Sequence, residues 1–171
     1  MSAFAVWLTG LSGSGKSAIA RELAAQLHAR GVDAALLESD AMRLQLTPFA
    51  RYDESERDFF YATLAETGHA IAAAGRPVIF DATANRRRYR DAARAAIPRF
   101  AEVYVDTPLE VCAARDPKGL YRKGATTTLP GLQAAYEPPG APELVVHGDR
   151  GTPAESAASI VALLEKNGWL A

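Results

Sequence analysis

Eight consecutive residues, Gly10-Leu11-Ser12-Gly13-Ser14-Gly15-Lys16-Ser17, satisfy the pattern GxxxxGK[ST] at every fixed position. Each position has a chemical reason. Glycines let the backbone curl until successive N–H groups converge on phosphate oxygens. Lys16 reaches β- and γ-phosphates as a flexible point charge. The Ser17 hydroxyl is a ligand for Mg²⁺, and the helix expected from Ser17, with Ala18 in its first turn, offers its positive end to the anion. An apolar run, Ala3–Leu8, precedes the loop and an amphipathic stretch follows it, which is the context this chemistry needs. Gly10, Ser12, Gly13, Ser14, Gly15, Lys16, Ser17 and Ala18 are therefore the expected ATP contacts.

A phosphate loop names a nucleotide, not a reaction. A guanine-reading NKxD run is missing. Val78-Ile79-Phe80-Asp81 is followed by Ala82, so no glutamate adjoins Asp81 to polarise water as in motor or transport ATPases. Phosphoryl transfer to an acceptor hydroxyl is the remaining reading. On the acceptor side stands Glu38-Ser39-Asp40-Ala41-Met42-Arg43. A carboxylate at the carboxyl end of a parallel strand sits where ligands bind in such sheets. Asp40 either takes the proton of the attacking hydroxyl and helps hold the metal, or N-caps a short helix. Arg43, one turn on, pairs with an acceptor anion or with a neighbouring side chain. Asp81 either holds a water on Mg²⁺ or caps the next helix. Arg86, Arg87, Arg88, Arg90 and Arg94 form a local basic cluster, read first as a solvated face and second as a source of acceptor contacts.

These residues need a scaffold, and the chain supplies one. Short apolar runs at Ala3–Leu8, Ala34–Leu37, Val78–Phe80, Val103–Val105 and Leu144–Val146 alternate with helical patterns at Ser17–Arg30, Glu54–Ala74, Arg87–Ile97, Leu109–Ala114 and Pro153–Lys166. Such alternation predicts an α/β fold of three layers: a five-stranded, mainly parallel sheet with helices on both faces, a nucleotide-kinase-like P-loop NTPase in one domain. Asp116–Pro142 has no clear period and is expected to be a mobile lid, taken to begin at Arg115. Closing a basic loop over the site would exclude water and bring cations to a transferring phosphoryl group.

Bulk properties limit the alternatives. With 171 residues, 49% apolar and 23% charged, the chain can bury one core. A net charge of −1 argues against a broad nucleic-acid-binding surface. The single cysteine, Cys112, rules out an internal disulfide. His28, His69 and His147 lie outside any metal-ligand spacing. The opening MSAFAVWLTG does not read as a signal peptide, and no apolar run approaches membrane-spanning length, so a soluble cytoplasmic protein is expected.

Several stretches together resemble the adenylylsulfate (APS) kinase family over nearly the whole chain. They are Gly10–Ser17, Asp40 with Arg43, Glu56-Arg57, Tyr104–Cys112, Arg115-Asp116-Pro117-Lys118-Gly119-Leu120-Tyr121, Tyr136-Glu137-Pro138 and Pro142-Glu143-Leu144. The resemblance implies transfer of the γ-phosphoryl of MgATP to the 3′-hydroxyl of adenosine 5′-phosphosulfate, giving PAPS. It implies Asp40 and Lys16 as catalytic groups, and Ser17, Asp40 and Asp81 at the metal. Arg43 and Arg57 fall on the phosphosulfate, and Arg115, Lys118 and Lys123 become lid cations, with Arg115 and Lys118 also among the ATP contacts. Lys118 and Leu120 also fall on the acceptor. Family members are often dimers, so a homodimer is the implied assembly.

The acceptor side departs from the family pattern. Phe60 stands where the family usually has Asn, and Ala62 and Thr63 where Arg is common. The two phenylalanines that clamp the acceptor's adenine correspond to Tyr52 and Leu129. Ala84-Asn85-Arg86-Arg87 replaces Ser-Pro-Tyr-Arg, and the lid is shorter before Tyr136. Loss of an aromatic face and a polar reader bears on which base fits. Three other readings therefore remain open: a kinase for another nucleotide, such as a cytidine diphosphate derivative; a silent ATP-binding module; and a polynucleotide 5′-kinase, suggested by the resemblance of Asp81–Asn85 to the Asp-x-Thr-Asn stretch of that group.

Overall fold

A computed structural model describes residues 3–51, 53–122 and 135–171. Tyr52, Lys123 and Leu129 lie outside the described residues. Five strands form one sheet: β1 (Ala5–Thr9), β2 (Ala35–Glu38), β3 (Val78–Asp81), β4 (Phe100–Val105) and β5 (Leu144–Val146). Their order is β2-β3-β1-β4-β5, and every pairing is parallel. Among the described residues the helices are α1 (Lys16–Ala29), α2 (Ser39–Leu46), α3 (Glu54–Ala73), α4 (Arg87–Ala96), α5 (Leu109–Arg115) and α6 (Pro153–Lys166).

The period of two along the strands divides the apolar residues between two cores. Ala5 and Trp7 of β1, Val78 and Phe80 of β3, and Phe100 of β4 face α3 and α4. Val6, Leu8, Ile79, Val103 and Val105 face α1 and α6. The central strands therefore have to be apolar on both faces, as β1 (AVWLT, wholly buried) is. Trp7 stacks on Phe80 with ring centroids 4.4 Å apart and donates its indole N–H to the Ala82 carbonyl at 3.0 Å. α3 comes so near the sheet that a Cβ on its Gly68 would lie 2.1 Å from the Phe80 ring.

Two elements differ from the sequence reading. β4 begins at Phe100, three residues before the expected strand, because Glu102 inside it is buried against arginines. A charged residue in a central strand hides the apolar signal. Ser39–Leu46 is a helix in its own right, with Glu38 as its N-cap residue, so Asp40 lies within the first turn and does not N-cap it.

The arginine cluster at α4 is divided: Arg87 and Arg88 are exposed, whereas Arg90 is buried, and each of the five is bonded to a neighbour. Arg90 is fully buried, donating to Glu102 Oε1 at 2.8 Å and to the backbone carbonyl of Glu137. Arg94 forks onto Glu143 and reaches Glu102 Oε2 at 3.3 Å. Arg88 pairs with Glu54 and with Asp58 at 2.6 Å, and Arg86 with Glu54 at 3.5 Å. Arg87 Nε donates to the Pro138 carbonyl at 2.7 Å. α4 thus anchors residues 135–143, where the chain returns from the expected lid. Asn85 and Glu137 continue the anchor: the Glu137 N–H donates to the Asn85 carbonyl at 2.8 Å, and the Asn85 amide to the Ala135 carbonyl at 3.0 Å. Among the described residues no helix is long and apolar enough to cross a membrane.

Gly68→Ala weighs two effects of opposite sign. Helix propensity favours alanine by about 1 kcal/mol, but overpacking against Phe80 costs about 1–3 kcal/mol or more. A net loss of stability is expected in urea denaturation; a gain would show that α3 can move off the sheet. Glu102→Ala strands the buried Arg90 guanidinium and is expected to cost about 3–5 kcal/mol. Unchanged stability by the same measurement would mean that Arg90 is not held by Glu102.

Candidate active site

Sheet topology decides where the chemistry-bearing residues meet. β1 and β3 are neighbours, but the chain leaves β1 toward α1 on one face and β3 toward α4 on the other. A crevice opens at such a switch point, beyond the carboxyl ends of the strands. Leu8, Asp81 and Glu38 share one row of the register. The phosphate loop follows β1, Asp81 ends β3, and Asp40 follows β2.

The loop's curl needs Gly13 at φ 81°, and a Cβ there would meet the Cys112 carbonyl oxygen at 2.8 Å. Gly10 packs against Val105. Gly148 lies so close on the other flank that a Cβ would sit 1.7 Å from the Ser14 carbonyl oxygen. Of the expected nucleotide contacts, Gly13, Gly15, Lys16, Ser17, Ala18, Arg115 and Lys118 line one cleft of about 320 Å³, joined by Arg21 and Pro117. Ser12 and Ser14 are buried in the loop's own fabric, and Ser14 Oγ has no hydrogen-bond partner among the described residues.

Lys16 donates to the Leu11 carbonyl at 3.1 Å. Burial pushes its ammonium below the usual lysine range, against the pull of Asp81. Ser17 Oγ donates to Asp81 Oδ2 at 2.7 Å. Burial also pushes the Asp81 carboxyl up, with Lys16 and the Ser17 hydrogen bond opposing. Two adjoining oxygen donors in a poorly hydrated place suit a hard cation such as Mg²⁺, which usually takes one or two carboxylates and completes its shell with phosphates and waters. No group of three or more His, Cys, Asp or Glu suited to a metal occurs among the described residues.

Asp40 is exposed on the first turn of α2, and its carboxylate accepts from Lys118 of the lid base. Both Asp40 and Lys118 act electrostatically on Lys16, which places them around one centre. Asp40 is hydrogen-bonded to Lys118, and its charge also acts on Asp81.

Arg43 is held from several sides. Its guanidinium lies 4.1 Å from the Phe60 ring centroid and 5.8 Å from that of Tyr61, with Glu56 at 3.7 Å. Phe60 itself is fully buried in the core beside Leu64. An apolar ring has nothing to gain at the wet cleft, so Phe60 reaches the acceptor side only through Arg43. Arg57 is buried in α3, and Leu120 is half-buried in the turn after α5.

Some residues of the site were not singled out from sequence. Thr107 Oγ1 donates to the Ser14 carbonyl at 2.8 Å and accepts from Gly148 N–H at 3.1 Å. Arg115, expected as a lid cation and nucleotide contact, also donates to the Gly13 carbonyl at 3.1 Å and to the Gly148 carbonyl at 2.7 Å. Thr9 and Tyr136 join hydroxyls at 2.9 Å directly before the loop. Thr107 carried one usable signal, its place just past the carboxyl end of a parallel strand; Gly148 and Thr9 carried none.

The sequence matches the family described as adenylylsulphate kinase over residues 2–147. An adenylyl-sulfate kinase of Halothermothrix orenii is 38% identical over 174 residues, covering 96% of this chain and 91% of that one. A probable bifunctional SAT/APS kinase of Sorangium cellulosum is 38% identical over 99% of this chain. The chain spans 30% of the length of that relative and 55% of another. The fold superposes on the APS kinase of Mycobacterium tuberculosis, solved in complex with AMPPNP and APS, with a TM-score of 0.89 and 33% identity over 96% of this chain and 98% of that one. Sequence and fold agree over nearly every described residue, and the chain belongs to the adenylylsulphate kinase family.

Proposed function

We propose that this chain transfers the γ-phosphoryl group of MgATP to the 3′-hydroxyl of adenosine 5′-phosphosulfate. The observation that carries the reading is the convergence of the Lys16–Ser17–Asp81 cradle with Asp40 and Lys118 at one switch point. The relative solved with AMPPNP and APS supports the choice of acceptor.

In this mechanism the loop amides and Lys16 hold the β- and γ-phosphates. Ser17 and Asp81 would hold Mg²⁺, which supplies charge neutralisation between those phosphates. The acceptor oxygen forms its bond to the γ-phosphorus as the bond to the β,γ-bridging oxygen breaks, and ADP departs with that oxygen. The hydroxyl proton passes to Asp40. Lys118 exchanges the Asp40 carboxylate for phosphate oxygens of the bound nucleotide. That exchange frees the base and brings a cation to the developing charge. Arg43, backed by Phe60, faces the phosphosulfate, with Arg57 nearby on α3.

The deciding experiment is a coupled assay of MgATP consumption with APS, beside cytidine and uridine diphosphate derivatives and a 5′-hydroxyl oligonucleotide. Saturable turnover with APS supports the reading. Turnover only with another acceptor would reassign the pocket while keeping the transfer machinery, and no turnover with any acceptor would leave an ATP-binding module. Asp40→Ala is expected to lower kcat by about 10²–10⁴-fold with ATP binding nearly intact, as loss of a general base does. Lys16→Ala should weaken ATP binding and turnover together. Equal activity in Asp40→Ala would remove that residue from the chemistry. Phe60→Leu takes away the aromatic face under Arg43 and is expected to raise KM for the acceptor several-fold without changing KM for ATP; a change confined to ATP would place Arg43 elsewhere in the mechanism.

A further inference from the structure

A loop that turns its N–H groups inward leaves its carbonyls pointing outward, and here four in a row meet a side-chain donor. The Leu11 carbonyl accepts from Lys16, Ser12 from the Tyr121 hydroxyl at 2.7 Å, Gly13 from Arg115, and Ser14 from Thr107. Lys16 belongs to the loop itself. The other three donors come from one stretch of chain, α5 and its two flanks. Thr107 and Arg115 also bond Gly148, so they tie the loop to the segment before α6. Tyr121 differs from them because it arrives from the base of the lid.

We propose that Tyr121 is a positioning residue for the phosphate loop, holding the Ser12 peptide in the orientation that nucleotide binding requires. This rests on the reading that the loop holds ATP and deepens it. The turn that delivers Tyr121 is built for the purpose. Asp116 ends α5 in the left-handed region at φ 32°, an uncommon conformation for a residue with a side chain. Its buried carboxylate accepts from the Tyr121 N–H at 3.0 Å and the Arg122 N–H at 3.2 Å. Its own carbonyl accepts from Gly119 N–H at 3.0 Å. Residues 116–122 thereby fold back, and the Tyr121 ring comes to rest half-buried with its hydroxyl on Ser12. Burial pushes the phenol up to about 12, so the hydroxyl remains a donor throughout the neutral range. Lys118 belongs to the same turn and reaches Asp40. One closed turn therefore touches the ATP half of the site through Tyr121 and the acceptor half through Lys118.

The test is calorimetric titration of Tyr121→Phe with Mg²⁺ and AMPPNP, with no acceptor present, alongside steady-state kinetics and a thermal melt. Loss of one hydrogen bond to a backbone carbonyl is worth about a 3- to 10-fold rise in Kd. KM for ATP should rise in parallel, while KM for the acceptor and the melting midpoint stay where they are. An unchanged Kd in a folded Tyr121→Phe protein overturns the proposal. So does a lowered midpoint with nucleotide and acceptor weakened alike, because that is the mark of a merely structural tyrosine. Asp116→Asn, which puts an N–H donor where an acceptor is needed, should weaken AMPPNP binding in the same direction, and it decides the matter if Tyr121→Phe does not fold. Lys16→Ala in the same titration separates the two readings. Weakened binding there beside an unaffected Tyr121→Phe sinks only the tyrosine, whereas no effect in either removes the loop as the nucleotide site.

Discussion

The constraint on which this structure depends is the direction of four consecutive peptide groups. Binding a phosphate through backbone N–H groups requires a curl that exposes the opposite carbonyls to the protein, where an unmet acceptor costs free energy. The fold answers with donors fixed on rigid neighbours. Thr107 sits at the end of β4, Arg115 at the end of α5, and Tyr121 in the turn that Asp116 locks. β1 carries the loop from below, and the Thr9 hydroxyl, shared between the Thr83 carbonyl and Tyr136, fixes its entry. The arrangement of β4, α5 and the lid base follows from what the loop's outer face must receive.

The ionisable groups beside the loop face a related difficulty, because burial disfavours their charged forms. Lys16 and Asp81 are both driven toward neutrality by burial and restrain one another. Asp40 escapes by standing in solvent, where Lys118 neutralises it at little desolvation cost. The turn after α5 thus supplies a cation to the Asp40 carboxylate through Lys118 and a donor to the phosphate loop through Tyr121.

How much of this could be read beforehand depended on the range of the interaction. The phosphate loop was legible because its chemistry is local: strand, glycines, lysine, serine and helix occur in one continuous stretch. The five strands were legible because β1 and β3 are apolar on both faces, though β4 lost its first half to Glu102. The arginines of α4 were misread because what decides their role lies far along the chain. Arg90 is a buried structural cation only in the presence of Glu102 and the Glu137 carbonyl, and Arg94 only in the presence of Glu143. Nothing within α4 distinguishes these residues from a solvated basic stripe. Phe60 was legible as a departure from the family but not in its consequence, since only the fold shows that its ring lies beneath Arg43.

That placement also bears on how an acceptor pocket can change while its chemistry stays the same. An amide in the position of Phe60 would offer directional donors and acceptors; an aromatic ring offers a flat, polarisable face and nothing to hydrogen-bond. Arg43 laid on that face is shielded from water on one side, which strengthens its field toward an anion. Glu56 on its edge limits the rotation of the fork. On the proposed reading Arg43 takes the anionic end of the acceptor, and Phe60 sets that side chain's height and tilt. Selectivity for the base must then arise elsewhere in the pocket. On that reading phosphoryl transfer and base recognition rest on separate groups, so acceptor residues can diverge without disturbing Lys16, Ser17, Asp81 or Asp40.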